Sequence, residues 1–438
     1  MPLPSHLETS TGEVGQIDPQ PVIPGRENKK AINVYMLELW SFIPYYVAHL
    51  CGSLQEEPVK VTLGSARYHL DRAYFGKVGL APDPALLDWG GAIRFDPLRR
   101  LVKSCEYLAN LMTLALRFTF SRPDILHVQF LPFLERGFTF ELWFVKWVQR
   151  LNVRVMYTVH NVMPQDAPDR YKSLYERVYR TADGLICHGE EARTQLIRDF
   201  GVAENRIWVI PHGFLFAEKP KISPREARKR LGLPIEEPLV LSLGVISEYK
   251  GIPFLLEAWK LVIASGVKGR LFIAGTGDPA LLSFIRKKIS SEGLTSSVGL
   301  RLEFISVEEL PLLHQAADIL VYPYMAGTTS GALLTGLNYQ KAVVATTLPF
   351  FREHLRPGRD AVLVPYGDVD GWARTLSNLL RDKDERERLG KSIGTAGLAD
   401  LSWNNIARTT SRCYRALCNS SLSNEARGEN LLSDRRTP

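Results

Sequence analysis

Short apolar runs of strand length alternate with longer amphipathic runs of helix length along most of this chain, and that alternation restricts the fold more than any other feature. The apolar runs at residues 32–37, 59–63, 125–129, 153–159, 185–187 and 208–210 show little polar alternation. Strands covered on both faces read this way, and joining them in parallel takes a helix's length of chain. Helical patterns at 46–54, 101–120, 138–150, 171–180 and 190–200 supply those lengths. The first half is therefore expected to be βαβ units around a parallel sheet.

After Gly213 the pattern gives way to a polar segment bearing Lys and Pro, residues 217–223. Ser223-Pro224-Arg225-Glu226 then reads as a helix start: an N-cap serine, proline at the first helical position, and glutamate three residues after the cap. Strands are expected at 239–245, 270–274, 301–305, 319–324, 342–347 and 361–365. Helices are expected at 252–265, 279–290, 306–317, from near Ser330, and at 371–381, 384–399 and 403–417, the third begun by a capping box of Ser306 and Glu309. The expected fold class is α/β, with two Rossmann-like doubly wound domains facing each other across a cleft. The first domain is placed at 30–215 and the second at 216–402, with a helix at 403–418 packing back on the first. A lead-in at 1–29 and a tail at 419–438 are expected to be disordered.

A chain of 438 residues with 45% hydrophobic and 23% charged residues can fill two such cores. Its five cysteines are scattered, without C-x-x-C spacing, so neither a disulfide framework nor a zinc site is indicated and a reducing compartment is expected. The formal charge of +7 attracts polyanions, whether nucleic acid, anionic lipid or a phosphorylated small molecule. No cluster of aromatic and basic residues marks specific nucleic-acid binding, which is not expected. Residues 1–29 lack the basic start and apolar core of a signal peptide, and a cytoplasmic location is expected. The apolar stretch 31–54 contains Glu38, Pro44 and His49 and changes period midway, so strand, loop and helix are expected rather than a membrane span. The apolar helices at 101–120 and 138–151 carry interspersed Arg and Lys. Buried crossover helices are the preferred reading, with a membrane-surface role as the alternative.

Residues 319–347 hold the most informative turn. A buried strand runs into Ala326-Gly327-Thr328-Thr329-Ser330-Gly331, a loop with little side-chain bulk and three hydroxyls, and then into a helix. The carboxyl end of a strand feeding the amino end of a helix suits an anion such as a diphosphate, although a turn simply capped by Thr or Ser would look the same.

Several segments in order resemble glycosyltransferase family 4, the retaining group of the two-domain GT-B architecture. In the second half these are LGVISEYKGIPFLLEAW, LFIAGTGDPALL, LPLLHQAADILVYPY and SGALLTGLNYQKAVVAT; in the first, VMYTVHNVMPQD, TADGLICHGEEARTQLIRDFGV and RIWVIPHG. The resemblance implies a nucleoside-diphosphate sugar, UDP- or GDP-linked, as donor. It puts Lys250 on the donor phosphates near Gly244, and the loop Thr328, Thr329, Ser330, Gly331 with Thr335 around the donor. It makes His160 an active-site group beside the transferred sugar, able to hydrogen bond the sugar or to polarise the reacting hydroxyl. Two departures stand out. No arginine follows the strand glycine, since residues 245–247 are Val, Ile and Ser, and Arg193 or Arg352 are the cations considered as substitutes. The family's two glutamates, eight positions apart, fall on Gly327 and Thr335, as in a Ser-Gly variant of the superfamily.

On the acceptor side, His127, Trp40 and Tyr45 are the candidates, within an aromatic loop that includes Phe42 and Tyr46. Asp166 is read as a cap, and His188 and His212 as cleft-lining or hinge groups. No Asp-x-Asp motif marks a strand end, so neither a metal nor a cofactor beyond the donor is expected. The implied acceptor is a saccharide or a polyprenyl-linked saccharide, with peripheral association at the inner membrane face. A noncatalytic nucleotide-sugar or carbohydrate-binding protein of the same fold is the competing expectation.

Overall fold

The computed structural model describes residues 31–40, 42–65, 74–90, 93, 96–134, 137–163, 168–216, 219–393 and 399–419. In the first half, the strands β1 (Ile32–Glu38), β2 (Val59–Ser65), β3 (Ile125–Val128), β4 (Arg154–Val159), β5 (Gly184–Cys187) and β6 (Ile207–Val209) form one sheet in the order β2-β1-β3-β4-β5-β6. In the second, β7 (Leu239–Leu243), β8 (Arg270–Ala274), β9 (Val298–Arg301), β10 (Ile319–Tyr322), β11 (Ala342–Ala345) and β12 (Ala361–Leu363) form another in the order β12-β11-β10-β7-β8-β9. Every ladder is parallel, so each sheet is covered by helices on both faces. The α/β expectation of two doubly wound sheets holds.

Strand order reverses between β1 and β3 in the first sheet and between β7 and β10 in the second. Connections leaving adjacent strands in opposite directions open a crevice at their carboxyl ends. Those ends are Glu38 and Val128 on one side, and Leu243 and Tyr322 on the other.

One strand lies elsewhere than expected. The ninth pairs Leu271 with Val298 and Ala274 with Arg301, so it ends where the sequence reading began it, at 301–305. Its last residue, Arg301, reaches Glu303 at 2.9 Å and Glu309 at 2.7 Å. The local start signals agree with the sequence: the Ser223 hydroxyl accepts the Glu226 amide at 3.1 Å, and Ser306 accepts that of Glu309 at 3.3 Å.

The helix Trp403–Asn419 lies on the first sheet, its Ile406, Ala407, Cys413 and Leu417 sharing a core with Val34 and Met36 of β1 and with the helix Pro44–Leu54. The indole of Trp403 donates to the Phe214 carbonyl at 2.6 Å, and the Tyr414 hydroxyl meets His127 Nδ1 at 2.6 Å. The helices Asp96–Phe120 and Phe140–Arg150 each bury one face in the core and expose a second apolar face. Among the described residues, no helix is long and apolar enough to cross a membrane.

Because Trp403 both packs and hydrogen bonds, Trp403→Ala should destabilise the protein by about 3–5 kcal/mol. Trp403→Phe, which leaves only the Phe214 carbonyl unpaired, should cost about 1–3 kcal/mol. Thermal melting of both variants checks the order.

Candidate active site

Lys250 ends the tight turn Glu248–Lys250 that follows β7. Met325, just past β10, donates its amide to the Tyr249 carbonyl at 2.7 Å and pins this turn across the second crevice. Gly251 has φ +66°, and a Cβ there would overlap the Pro323 carbonyl oxygen, so the turn can sit this low only with glycine after the lysine. The Lys250 amine lies 5.5 Å from the centre of the Tyr324 ring and points back at Gly244. Burial lowers its pKa. Among the described residues, no carboxylate comes within ion-pair distance of it. A desolvated ammonium without a counterion favours any anion placed before it.

Beside it begins the helix Gly331–Leu337. The Ser330 hydroxyl accepts the Leu333 amide at 3.1 Å, and the Ser330 carbonyl takes that of Leu334. The Gly331 and Ala332 amides make no hydrogen bond among the described residues. The Thr329 hydroxyl is buried without a partner, and Thr328, adjoining it, is partly buried.

Both positions where the resemblance expects glutamates exclude them here. Gly327 has φ +142°, a conformation closed to side chains. Thr335 is 2% exposed, and its hydroxyl accepts the Leu215 amide at 3.2 Å, tying the second domain to the segment leaving the first. A glutamate there would bury a carboxylate. In this arrangement, the Thr335 oxygen serves Leu215.

The first domain meets this site with histidines gathered around one tyrosine. The ring of Tyr46 lies 5.0 Å from His160, 5.5 Å from His188, 4.9 Å from His212 and 5.3 Å from Trp403. His160 also stacks on Phe130. The Ile210 carbonyl can only accept, so His188 carries its proton on Nδ1 and offers a bare Nε2 to His160 Nδ1, 3.1 Å away. His160 must therefore donate through Nδ1. Its Nε2 faces the Gln129 carboxamide at 2.9 Å, and the same carboxamide lies 3.1 Å from His127 Nε2. With the amide oxygen toward His160, that ring needs a second proton; with the NH2 toward it, the ring stays neutral. Burial, then the neighbouring histidines, hold His160 well below its ordinary pKa, which favours the neutral arrangement. Burial also takes His188 to about 4 and His212 to about 3.

His127 lies deeper than an acceptor could reach. It is fully buried, bonded to Tyr414 and, at 2.6 Å, to Thr158, and desolvation lowers it to about 3. Trp40 packs edge-on against Tyr107 and Phe133 beneath the Lys103 ammonium, and Tyr45 against Phe216. Phe42, half exposed, is the open aromatic of that loop. Arg193 is committed to Glu190, at 3.1 Å, and to Glu204, while Arg352 is exposed and donates to the Thr347 carbonyl. Asp166 lies outside the described residues.

Three groups escaped the sequence reading. Gln129 orients His160 from two residues beyond His127. Glu38 accepts the Phe42 amide at 2.5 Å, and desolvation raises it to about 8. Glu353 of the second domain accepts the Glu191 amide at 2.7 Å and so caps the first-domain helix Glu190–Phe200, whose own N-cap, Gly189, has no side chain. Each works through a contact distant in sequence or made to backbone, and composition carries no signal for that.

Two parallel sheets bring together a cation without a carboxylate partner among the described residues and a helix terminus on one side and a histidine cluster on the other, the arrangement of an α/β enzyme with its site between two sheets. Residues 43–214 match the family described as Glycosyltransferase Family 4, and residues 237–382 match Glycosyl transferases group 1. The chain belongs to this family and is a glycosyltransferase. It is 25% identical over 330 residues to a D-inositol 3-phosphate glycosyltransferase of Thermobispora bispora, covering 71% of this chain and 74% of the relative. The protein of that name from Corynebacterium urealyticum is 24% identical, over 63% of this chain and 67% of its own. A glycosyltransferase from Rickettsia africae superposes with a TM-score of 0.68 at 14% identity, over 90% of this chain and all of that one. Anabaena Alr3699/HepE in complex with UDP-glucose gives 0.68 at 14% identity, over 88% and 100%.

Four buried histidines held neutral tie stability to pH. The unfolded chain protonates each near 6.5, whereas the folded chain resists until about 4 for His188 and about 3 for His127 and His212. Their contribution is complete above pH 6.5 and is lost as pH falls through that window, at up to about 1.4 kcal/mol per pH unit for each ring. The melting temperature should therefore drop between pH 6.5 and 4, with a shallower slope in His188→Gln. A flat profile would mean the rings are charged in the fold.

Proposed function

We propose that this enzyme transfers a sugar from a UDP- or GDP-sugar, with retention of configuration, to a saccharide or polyprenyl-linked acceptor at the cytoplasmic face of the inner membrane. The carrying observation is the Lys250 ammonium, desolvated and without a carboxylate partner, next to the open amides of Gly331 and Ala332 and the unpartnered Thr329 hydroxyl. Those groups are suited to charge that develops on a diphosphate as the glycosidic bond breaks. The ammonium answers the charge, and the amides and hydroxyl fix the oxygens.

His160 and the strand ends around it then face the sugar. Gln129 and His188 engage both ring nitrogens, which fixes the ring's plane and tautomer, so its contribution is a rigid ring face against the sugar rather than removal of a proton. With no carboxylate of the described residues within ion-pair distance of Lys250, the leaving phosphate oxygen takes the proton of the incoming hydroxyl on the same face, a route that depends on positioning and electrostatics. UDP-linked donors are supported by the relation to HepE, crystallised with UDP-glucose. The names of the curated relatives put inositol 3-phosphate in the acceptor panel.

Lys250→Ala should lower kcat by about two to three orders of magnitude, as removal of a charge-stabilising donor does elsewhere, with the melting temperature unchanged. Release of nucleoside diphosphate from UDP- and GDP-sugars, with and without acceptor, is the assay. Wild-type turnover in Lys250→Ala would remove this assignment. The missing glutamates favour a second reading, a binding protein without turnover; nucleotide binding with no acceptor-dependent release would establish it. The anomeric configuration of the product, read by NMR coupling constants, tests retention.

Gln129→Leu should leave donor affinity within about twofold and reduce kcat roughly tenfold, because His160 loses the partner that fixes its ring. An unchanged kcat would show that ring orientation does not limit the reaction.

A further inference from the structure

The helix Asp96–Phe120 carries two apolar stripes. One, containing Tyr107, Leu111, Leu114 and Phe118, is buried in the core of the first domain. The other, Leu98, Leu101, Leu108, Met112, Leu116 and Phe120, recurs at spacings of three, four and seven residues, and each of its members is between 42% and 84% exposed. Trp143 and Trp147, one turn apart on the helix Phe140–Arg150, stand beside this outer stripe, Trp143 at 73% exposure. Between the helices lies an open groove of about 780 Å³ whose apolar walls are rimmed by Lys146 and Arg150.

Charge separates this face from an ordinary apolar patch. The described acidic side chains of the two helices, Glu106 and Glu141, point inward: Glu106 accepts the Gly90 amide, and Glu141 binds Tyr107 and the amides of Phe133 and Leu134. The exposed charges on these helices among the described residues, Arg99, Arg100, Lys146 and Arg150, are all positive. A two-fold contact with a second copy would set cations against cations, with Glu106 and Glu141 both buried and out of reach to pair them. An anionic lipid surface answers every element at once. Leu, Met and Phe enter the acyl boundary, the tryptophans sit at headgroup depth, and the cations meet phosphate.

We propose that the outer stripe of residues 96–120, with Trp143 and Trp147, docks this protein on an anionic bilayer. The same helix reaches the cleft: Lys103 donates to the Trp40 carbonyl at 2.9 Å, in the loop that follows β1. Docking therefore holds the first crevice close to the membrane, where a lipid-linked acceptor presents its head. That consequence rests on the acceptor proposed above, whereas the docking itself does not.

The test uses the full chain and vesicles of phosphatidylcholine with or without phosphatidylglycerol, at low and high salt. The wild type should sediment with the anionic vesicles at low salt and be released by salt. Lys146→Glu and Arg150→Glu should each weaken partitioning roughly fivefold or more. The pair Met112→Glu and Leu116→Glu should weaken it at least about tenfold while sugar transfer to a soluble acceptor stays unchanged. Brominated lipid should quench the wild-type tryptophan fluorescence, and Trp143→Phe should lose much of that quenching, a measurement that needs no disruptive substitution. Failure of the wild type to bind, or binding unaffected by these changes, overturns the proposal. A wild-type dimer that Met112→Glu and Leu116→Glu disperse overturns it too. Transfer without vesicle binding sinks the docking face and spares the proposed function; vesicle binding without transfer does the reverse.

Discussion

The ring of Tyr46, enclosed by three histidines and Trp403, joins parts of the chain that are otherwise far apart. It brings the ends of β4, β5 and β6 to one point, and Trp403 reaches across to hold the Phe214 carbonyl. The next residue, Leu215, gives its amide to Thr335 and its carbonyl to His49 at 2.7 Å. Leu215, at the start of the segment joining the domains, is thus held by side chains from both of them. Burying so many rings together is favourable for their apolar area and edge contacts, and it obliges the histidines to stay neutral.

That obligation shapes the chemistry. A site of neutral imidazoles facing a single desolvated ammonium is electrically sparse, and the groups that compensate are oriented dipoles: amides, hydroxyls and one carboxamide. Such groups need no counter-charge and little reorganisation as charge develops. Gly327 takes a backbone conformation that excludes a side chain, and Thr335 lies beneath Leu215, so in this fold the first position serves a tight turn and the second a hydrogen bond between the domains.

The helices over the first domain show why one periodicity can support two readings. A stripe at spacings of three and four marks a face that avoids water, and the helix Asp96–Phe120 has two such faces. The core needs only one of them. The other is open on the molecule's surface beside the tryptophans of its neighbour, with Glu106 and Glu141 turned inward.

By itself, the sequence determined the two parallel sheets, nearly all of their strands, the linker with its capped helix, and the turn carrying Lys250. These follow from local rules: unbroken apolar runs, capping pairs and glycines at strand ends. It misplaced β9 because the register that fixes its bounds, Leu271 against Val298 and Ala274 against Arg301, is a contact made only in the folded chain. It singled out His160 but could not assign the carboxamide that orients it, and it counted His127 among the acceptor-side candidates although Tyr414, 287 residues away, closes over it. Tertiary structure alone decided which histidines gather around Tyr46, which cation stays unpaired, and that Glu353 caps a helix in the other domain. Each of these is a contact between residues remote in the chain, whose energies depend on burial and distance, and neither is written in local pattern.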